Sequence, residues 1–375
     1  MKIAINCWVL RNKNIDGIGN FTIETLRPLI KNHPEITFLV LCDKNFTEDY
    51  FDFPNVTKHH IFPPYRHPVL YLFYMEFVLG AFLKKNRPDL FLSMEGFLCL
   101  NTKCKQLPLI YDLNFEHQPR DLPFRNRVYF RTFYPKFARK ATRIATISEY
   151  SKTDIHKTYG IPLKNIDNVS CGVKEKFSPL SDEEKAKTKE RYTGREDYFF
   201  FIGSMHPRKN IIRLLRAFEI YKTATGASLK LVLAGNIFWD NESISAVTAS
   251  MKFKNDVVFT GRISDEELTL LLGSAFCLCF VPTFEGFGLP ILEAFQCDVP
   301  VICSNTTSMP EVAGDAALQA DPFNEKDIAE KMIMVWSEPA QRKIMIERGR
   351  DQRKLFSWER TAELLYASIF SALKP

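Results

Sequence analysis

Two glutamates, Glu285 and Glu293, flank a glycine-containing turn in FVPTFEGFGLPILEAF, residues 280–295. Gly286 and Gly288 permit backbone conformations closed to other residues, and Pro290 suits the first turn of a helix, where a missing N–H costs nothing. Such a turn aims backbone N–H groups beyond the preceding strand, and an anion belongs there. A carboxylate cannot bind phosphate, but it accepts hydrogen bonds from the paired hydroxyls of a sugar or a ribose. The arrangement therefore suits a ligand with anionic and polyol parts. A nucleotide sugar, two polyol rings joined by a diphosphate, would give each glutamate one ring. The plain alternative makes Glu285 a turn residue and Glu293 a solvent-facing helix residue.

Three further loops carry chemistry. In FIGSMHPRKNIIRLLRAF, Gly203 allows a tight turn, and Arg208 and Lys209 precede a helix whose Ile212, Leu215 and Phe218 face inward. Two cations beside a helix N-terminus oppose the usual charge preference of that end, which favours a bound anion over a solvated basic loop. Charge-assisted hydrogen bonds contribute about 1.5–3 kcal/mol each, enough for two cations to stabilise a departing diphosphate. In LRNKNIDGIGNFTIETL, Gly17 and Gly19 match part of a dinucleotide fingerprint, with Asp43 in place for a ribose. Thr22 replaces the third glycine and the glycines come late after the strand, so a glycine loop closing over a substrate fits better than NAD binding. In LIYDLNFEHQP, Tyr111 and Asp112 end a buried strand, where an acidic residue either handles an acceptor hydroxyl or caps the next element.

The elements that must position these loops follow a βα pattern. Apolar runs such as KIAINCW, ITFLVLC, DLFLSM, LPLIYD and RIATIS in the first half, and YFFFIG, LKLVLAG, DVVFTG, AFCLCFVP and VPVICS in the second, read as parallel strands covered on both faces. Two doubly wound α/β domains follow, 1–175 and 176–356, with the seam in CGVKEKFSPLSDEEKAK. A closing helix over 357–373, capped by Ser357 and burying Trp358, Ala362, Leu365 and Ile369, packs back on the first domain in this reading. Ligands of open α/β sheets sit beyond the carboxyl ends of strands, so a cleft between the two sheets is the expected active site.

Composition sets outer bounds. A chain of 375 residues exceeds one ordinary core, and 46% apolar with 25% charged residues is near the globular average and compatible with a folded enzyme. The +6 formal charge fits an anionic small molecule or surface as well as nucleic acid. Nine scattered cysteines without a CxxC pair indicate a reduced, cytoplasmic protein with no structural zinc. The apolar stretch Val69–Leu83 is too short to span a bilayer and carries Glu76; it reads as a buried or an interfacial helix. RNRVYFRTFYPKFARKATR, residues 125–143, has no acidic residue and suits an anionic membrane, an anionic acceptor, or a half-buried helix with snorkelling cations.

Taken together, these loops resemble the family 4 glycosyltransferases, retaining and metal-independent enzymes of GT-B fold, with two Rossmann-like domains facing a central cleft. The resemblance is dense from FFFIGSMHPRKN to PEVAGDAALQADP, where EGFGLPILEAFQCDVPVICSN carries the E-x7-E element as Glu285 and Glu293. In the first half it rests on DGIGNFT, LIYDL, ATISEYSKTDI and NVSCGV. It implies that Glu293 holds the ribose, that Glu285 with Gly286, Phe287, Gly288 and Leu289 holds the donor sugar and phosphates, and that Lys209 contacts the diphosphate. The backbone near Arg262 and Ile263 would meet the base, and Gly17 and Gly19 would lie near the donor phosphates. Ser204 stands where the family usually has an arginine after Gly203, so Arg208 supplies that charge. Tyr111-Asp112 replaces the usual His-Asp pair on the acceptor side.

No Asp-x-Asp occurs, so fixed cations and N–H groups must neutralise the leaving diphosphate. The resemblance implies no cofactor beyond the co-substrate, a GDP- or UDP-sugar, with GDP-mannose first. It also implies a glycan or lipid-linked acceptor and no nucleic-acid partner; the basic stretch 125–143 is what allows peripheral contact with the inner membrane face. The competing classes are a non-catalytic nucleotide-sugar-binding protein and a glycoside hydrolase, whose two carboxylates must converge on one bond.

Overall fold

The structure, a computed structural model, describes residues 1–11, 15, 17–42, 50–60, 73–236 and 241–374. Asp43 and the first residues of the Val69–Leu83 stretch lie outside them. The chain divides into two compact units, Met1–Gly172 with Phe356–Pro375, and Val173–Leu355.

In the first unit, β1 (Lys2–Asn6), β2 (Thr37–Cys42), β3 (Val56–His60), β4 (Leu90–Ser93) and β5 (Lys105–Pro108) form a parallel sheet in the order β3-β2-β1-β4-β5. A parallel pair, β6 (Ile144–Thr146) and β7 (Ile166–Asn168), joins it through a bridge between Leu109 and Ala145. The apolar runs became strands because both of their faces are covered: β1 and β2 are buried from their second residue onward, and β4 throughout. The last strand of LPLIYD stops at Pro108, so Tyr111 and Asp112 stand beyond its end.

The helix Trp358–Leu373 belongs to the first unit. Ser357 caps it by accepting from the Arg360 N–H at 3.1 Å. It buries Trp358, Ala362, Leu365 and Ile369, packs against the helix Gly17–Asn32, and sets Trp358 edge-on to Phe21 at 5.7 Å. Gly172 is required beside it, because a Cβ there would run into the Trp358 backbone.

In the second unit, β8 (Tyr198–Ile202), β9 (Lys230–Ala234), β10 (Val257–Gly261), β11 (Cys277–Phe280), β12 (Val301–Ser304) and β13 (Leu318–Ala320) form a parallel sheet in the order β10-β9-β8-β11-β12-β13. The strand order reverses between β8 and β11, and the same reversal occurs in the first unit between β1 and β4. At such a switch point the loops leave in opposite directions and open a crevice at the carboxyl ends of the strands.

Candidate active site

Three adjacent strands of the second unit end in glycines of positive φ: Gly203 after β8 (+150°), Gly235 after β9 (+137°) and Gly261 at the end of β10 (+68°). The Gly203 N–H donates to the Ala234 carbonyl at 3.0 Å and the Gly235 N–H to the Gly261 carbonyl at 2.8 Å. A Cβ on Gly235 would run into the Gly203 carbonyl oxygen. These strand ends therefore present bare backbone, low enough for a ligand to lie across them. Gly235 and Gly261 were missed by the sequence reading, although LVLAG and VVFTG carry the signal: an apolar run closed by a glycine, repeated.

Beyond Gly203 and the exposed Ser204, Pro207–Lys209 forms a single 3-10 turn. The buried Asn210 adopts φ +66°, and its side-chain amide donates to the carbonyls of Val281 (3.0 Å) and Pro322 (2.7 Å). The Thr283 N–H donates to the Arg208 carbonyl at 2.8 Å. These bonds fasten the loop after β8 to the loop after β11, and the two cations meet Glu285 as a result. Arg208 Nη1 lies 2.6 Å and Lys209 Nζ 2.5 Å from the same oxygen, Glu285 Oε2. Arg208 also reaches the Phe284 carbonyl at 3.1 Å, and the Lys209 ammonium sits over the Phe280 ring at 4.7 Å. Burial alone would raise the Glu285 carboxyl; the charges of Arg208 and Lys209, and their hydrogen bonds, outweigh it and hold the group at about 2. Glu285 is thus more than a turn residue, and the basic loop is not simply solvated.

The turn after Glu285 is pinned from behind. Ser308 Oγ lies 2.9 Å from the Glu285 carbonyl oxygen and 3.0 Å from that of Phe287, so its hydroxyl hydrogen is shared between two carbonyls of the turn. Gly288, at φ +109°, precedes the helix Leu289–Gln296, which no side chain caps. A Cβ on Gly288 would stand 2.6 Å from Met309 Cε. Ser308 and Met309 escape a reading of the sequence because serines and methionines of this kind are common and their contacts are long-range.

Glu293 lies one turn into this helix and is half-buried. Its carboxyl has no hydrogen-bond partner among the described residues. Burial pushes it up to about 7; Asp265 adds to the rise, while Lys176 and Lys174 oppose it. Lys176 Nζ is 2.5 Å from Asp265 Oδ2, and Lys174 Nζ 4.0 Å from it. Glu293 therefore neighbours the start of the helix Asp265–Gly273, whose preceding loop holds the exposed Arg262 and the half-buried Ile263. In the sequence, Lys174 and Lys176 stand in the seam CGVKEKFSPLSDEEKAK, where nothing in their spacing marks them.

In the first unit, one expectation changes. Gly17 and Gly19 do not form a loop; they open the helix Gly17–Asn32, Gly17 exposed with open space where a Cβ would stand and Gly19 buried. Helical dihedrals suit both, and apolar residues from Phe21 onward bury the following turns, so the helix extends back to them. Tyr111 donates its hydroxyl to the Met94 carbonyl at 3.0 Å and sets its ring edge-on to Phe21 at 5.4 Å. Asp112 accepts from the Asn114 N–H at 2.9 Å, at the start of the short helix Asn114–His117. Asn6, at the end of β1, donates to Glu95 beyond β4 at 3.1 Å, a pair at the switch point that sequence reasoning did not find.

The model described as Glycosyltransferase Family 4 matches residues 15–177, and that described as Glycosyl transferases group 1 matches 182–352. The chain belongs to the family 4 glycosyltransferases. The O-antigen chain mannosyltransferase B of Escherichia coli is 34% identical over 220 residues, 58% of each chain. The Escherichia coli serotype-specific mannosyltransferase WbdA is 28% identical over 267 residues, 70% of this chain and 32% of that protein. The chain thus spans between a third and three fifths of the length of these relatives. Among solved structures, a glycosyltransferase of Rickettsia africae superposes with a TM-score of 0.74 at 17% identity, covering 100% of this chain and 98% of that one. Anabaena HepE, solved in complex with UDP and glucose, superposes with a TM-score of 0.76 at 15% identity, covering 99% and 100%. These likenesses establish the GT-B fold, with a Rossmann-like sheet in each unit.

Proposed function

We propose that this family 4 glycosyltransferase moves a hexose, mannose first, with retention of configuration, from a nucleoside diphosphate sugar to a glycan or lipid-linked acceptor in surface polysaccharide or glycoconjugate synthesis. One observation carries the reading: Arg208 and Lys209 converge on Glu285 immediately before the Gly286–Leu289 turn. The mannosyltransferase names of the relatives support the sugar, and the UDP and glucose of the HepE complex support the class of donor.

In this reading the diphosphate lies against the glycine-edged strand ends and the start of the helix Leu289–Gln296, with Glu293 accepting from the ribose hydroxyls. The loop at Arg262 and Ile263 borders the base. Glu285 stays ionised at working pH, so it cannot serve as a general acid. It fixes Arg208 and Lys209 in place and accepts from the donor sugar. As the C–O bond to the diphosphate breaks, both electrons leave with the phosphate oxygen, and the two cations stabilise the charge that develops there. The acceptor oxygen bonds to the sugar carbon on the face the diphosphate leaves, and its proton passes to a phosphate oxygen. Fixed cations then do the neutralising, and no cofactor or metal is called for. Tyr111 and Asp112 border the acceptor side, the protein works in the cytoplasm at the inner membrane face, and nucleic acid is no partner.

The test is nucleotide release from GDP-, UDP- and ADP-sugars on addition of acceptor glycans, with chelator present. Acceptor-dependent release from one donor is expected. Binding without release across a broad acceptor panel would favour a non-catalytic binding protein instead.

A further inference from the structure

A cavity of about 520 Å³ opens in the second unit, walled by side chains of the helices Ile211–Thr225, Asn241–Ser250 and Glu325–Ser337. Cavities of about 300–1,000 Å³ are the usual size for small-molecule sites. Its remaining wall is the loop after β8, through Met205, His206, Pro207 and Asn210. Arg208, Lys209 and Glu285 take no part in the lining, so this hollow is separate from the cluster they form. Met205 and Ile244 are buried, and Ile212, expected among the inward residues of its helix, is half-buried and lines the cavity instead.

Phe323 also lines it and is 58% exposed. The turn that carries this ring is held at two points: the Phe323 N–H donates to Asp321 Oδ1 at 2.9 Å, and the Pro322 carbonyl accepts from the Asn210 amide at 2.7 Å. A flat apolar face is thus presented by fixed backbone. Charge does not balance around it. Arg216 Nη1 lies 3.0 Å from Glu325 Oε1, and the two offset each other. Arg213 has no carboxylate partner among the described residues; its Nη1 donates to Asn210 Oδ1 at 3.0 Å, and its guanidinium lies 5.5 Å over the Phe323 ring. Stacking on a ring leaves the in-plane N–H edge of a guanidinium available, and that edge matches a phosphate or a carboxylate.

A bare anion would use Arg213 and gain nothing from Phe323, Ile212 and Ile244. A flat protein surface would cover Phe323 but leave the hollow behind it unfilled. A sugar ring with an acidic substituent uses both halves. Its C–H face removes the aromatic ring from water, its hydroxyls both donate and accept and so suit Arg216, Glu325 and His206 together, and its acidic group meets Arg213. We propose that this cavity binds an anionic saccharide, a pyranose carrying a phosphate or a carboxylate, at a site separate from that of the donor. The proposal stands on the cavity alone and does not require that Glu285 serve a nucleotide sugar.

The experiment is a calorimetric titration of the full chain with mannose 6-phosphate and with glucuronate, beside mannose and inorganic phosphate, which each carry one half of the chemistry. Saturable binding of at least one anionic sugar is expected, with mannose and phosphate each about tenfold weaker or more. Binding of mannose 6-phosphate alone marks a sugar phosphate as the ligand, and binding of glucuronate alone a uronic acid. Arg213→Gln should weaken the interaction about tenfold, and Phe323→Ser about threefold to tenfold. Both side chains are partly exposed, so circular dichroism melts of the two variants should match the wild type. Lys209→Ala should leave the affinity unchanged. Binding of neither sugar, binding indifferent to both Arg213→Gln and Phe323→Ser, phosphate binding as tight as that of the sugars, or binding lost in Lys209→Ala would overturn the proposal. Nucleotide binding is titrated separately, so either site can fail without the other.

Discussion

Glu285 and Glu293 are the same residue type on either side of one turn, yet their surroundings drive them apart: two cations hold Glu285 at about 2, while burial lifts Glu293 to about 7. A ribose diol donates hydrogen bonds, so it needs Glu293 ionised. Nucleoside diphosphate affinity is therefore expected to rise as pH rises through about 7, and Glu293→Gln should flatten that profile; a wild-type profile flat from pH 5 to about 8 would contradict the role. The linkage to stability has the opposite sign. Because the folded-state value of Glu293 is raised, its contribution is present below its unfolded value and is lost as pH rises through about 7. Glu285 contributes above its unfolded value, on the order of 3 kcal/mol, and this is lost as pH falls toward about 2. Acid titration of Glu285→Gln, followed by circular dichroism, should show a weaker destabilisation over that range than the wild type. The sequence made both glutamates and both cations legible through spacing and the charge conflict at a helix start. It could not show that the cations share one carboxylate oxygen, because that contact depends on how Asn210 and Thr283 join two distant loops.

At the scale of elements, the site depends on backbone that leaves no room for side chains. Gly288→Ala would place a Cβ against the end of a flexible methionine at positive φ, and a loss of about 1–3 kcal/mol is expected, read as a lowered melting temperature. Gly235→Ala meets a backbone carbonyl that cannot yield, so its loss should be the larger; the reverse order would contradict the close approach of the ends of β8 and β9. The central strands were legible because they are continuous apolar runs covered on both faces. β3 (VTKHH), β7 (IDN) and β13 (LQA) were not, since strands that are half-exposed or only three residues long carry no such run. The helical start at Gly17 was hidden for a related reason: glycine favours loops locally, and packing of the later turns overrides it.

At the scale of the molecule, the chain forms two compact units and the last helix belongs to the first of them. The seam was legible as a break in the apolar pattern, whereas the close contact of Gly172 with Trp358 was not, because it joins positions far apart in sequence. Trp358→Ala removes a buried indole packed on Phe21 and should cost the first unit about 3–5 kcal/mol. Differential scanning calorimetry should show its transition falling while a nucleoside diphosphate raises only the transition of the second unit. A uniform shift of both transitions with ligand would argue against confining the donor site to Val173–Leu355.

The most direct measurement is a calorimetric titration of the full chain with GDP and with UDP, chelator present, repeated on Lys209→Ala after its fold is verified by circular dichroism. Binding of at least one of the two is predicted, weakened about tenfold to a hundredfold by loss of one charge-assisted contact to the diphosphate. Equal affinity in Lys209→Ala, or no affinity of the wild-type chain for either nucleotide, would contradict the account.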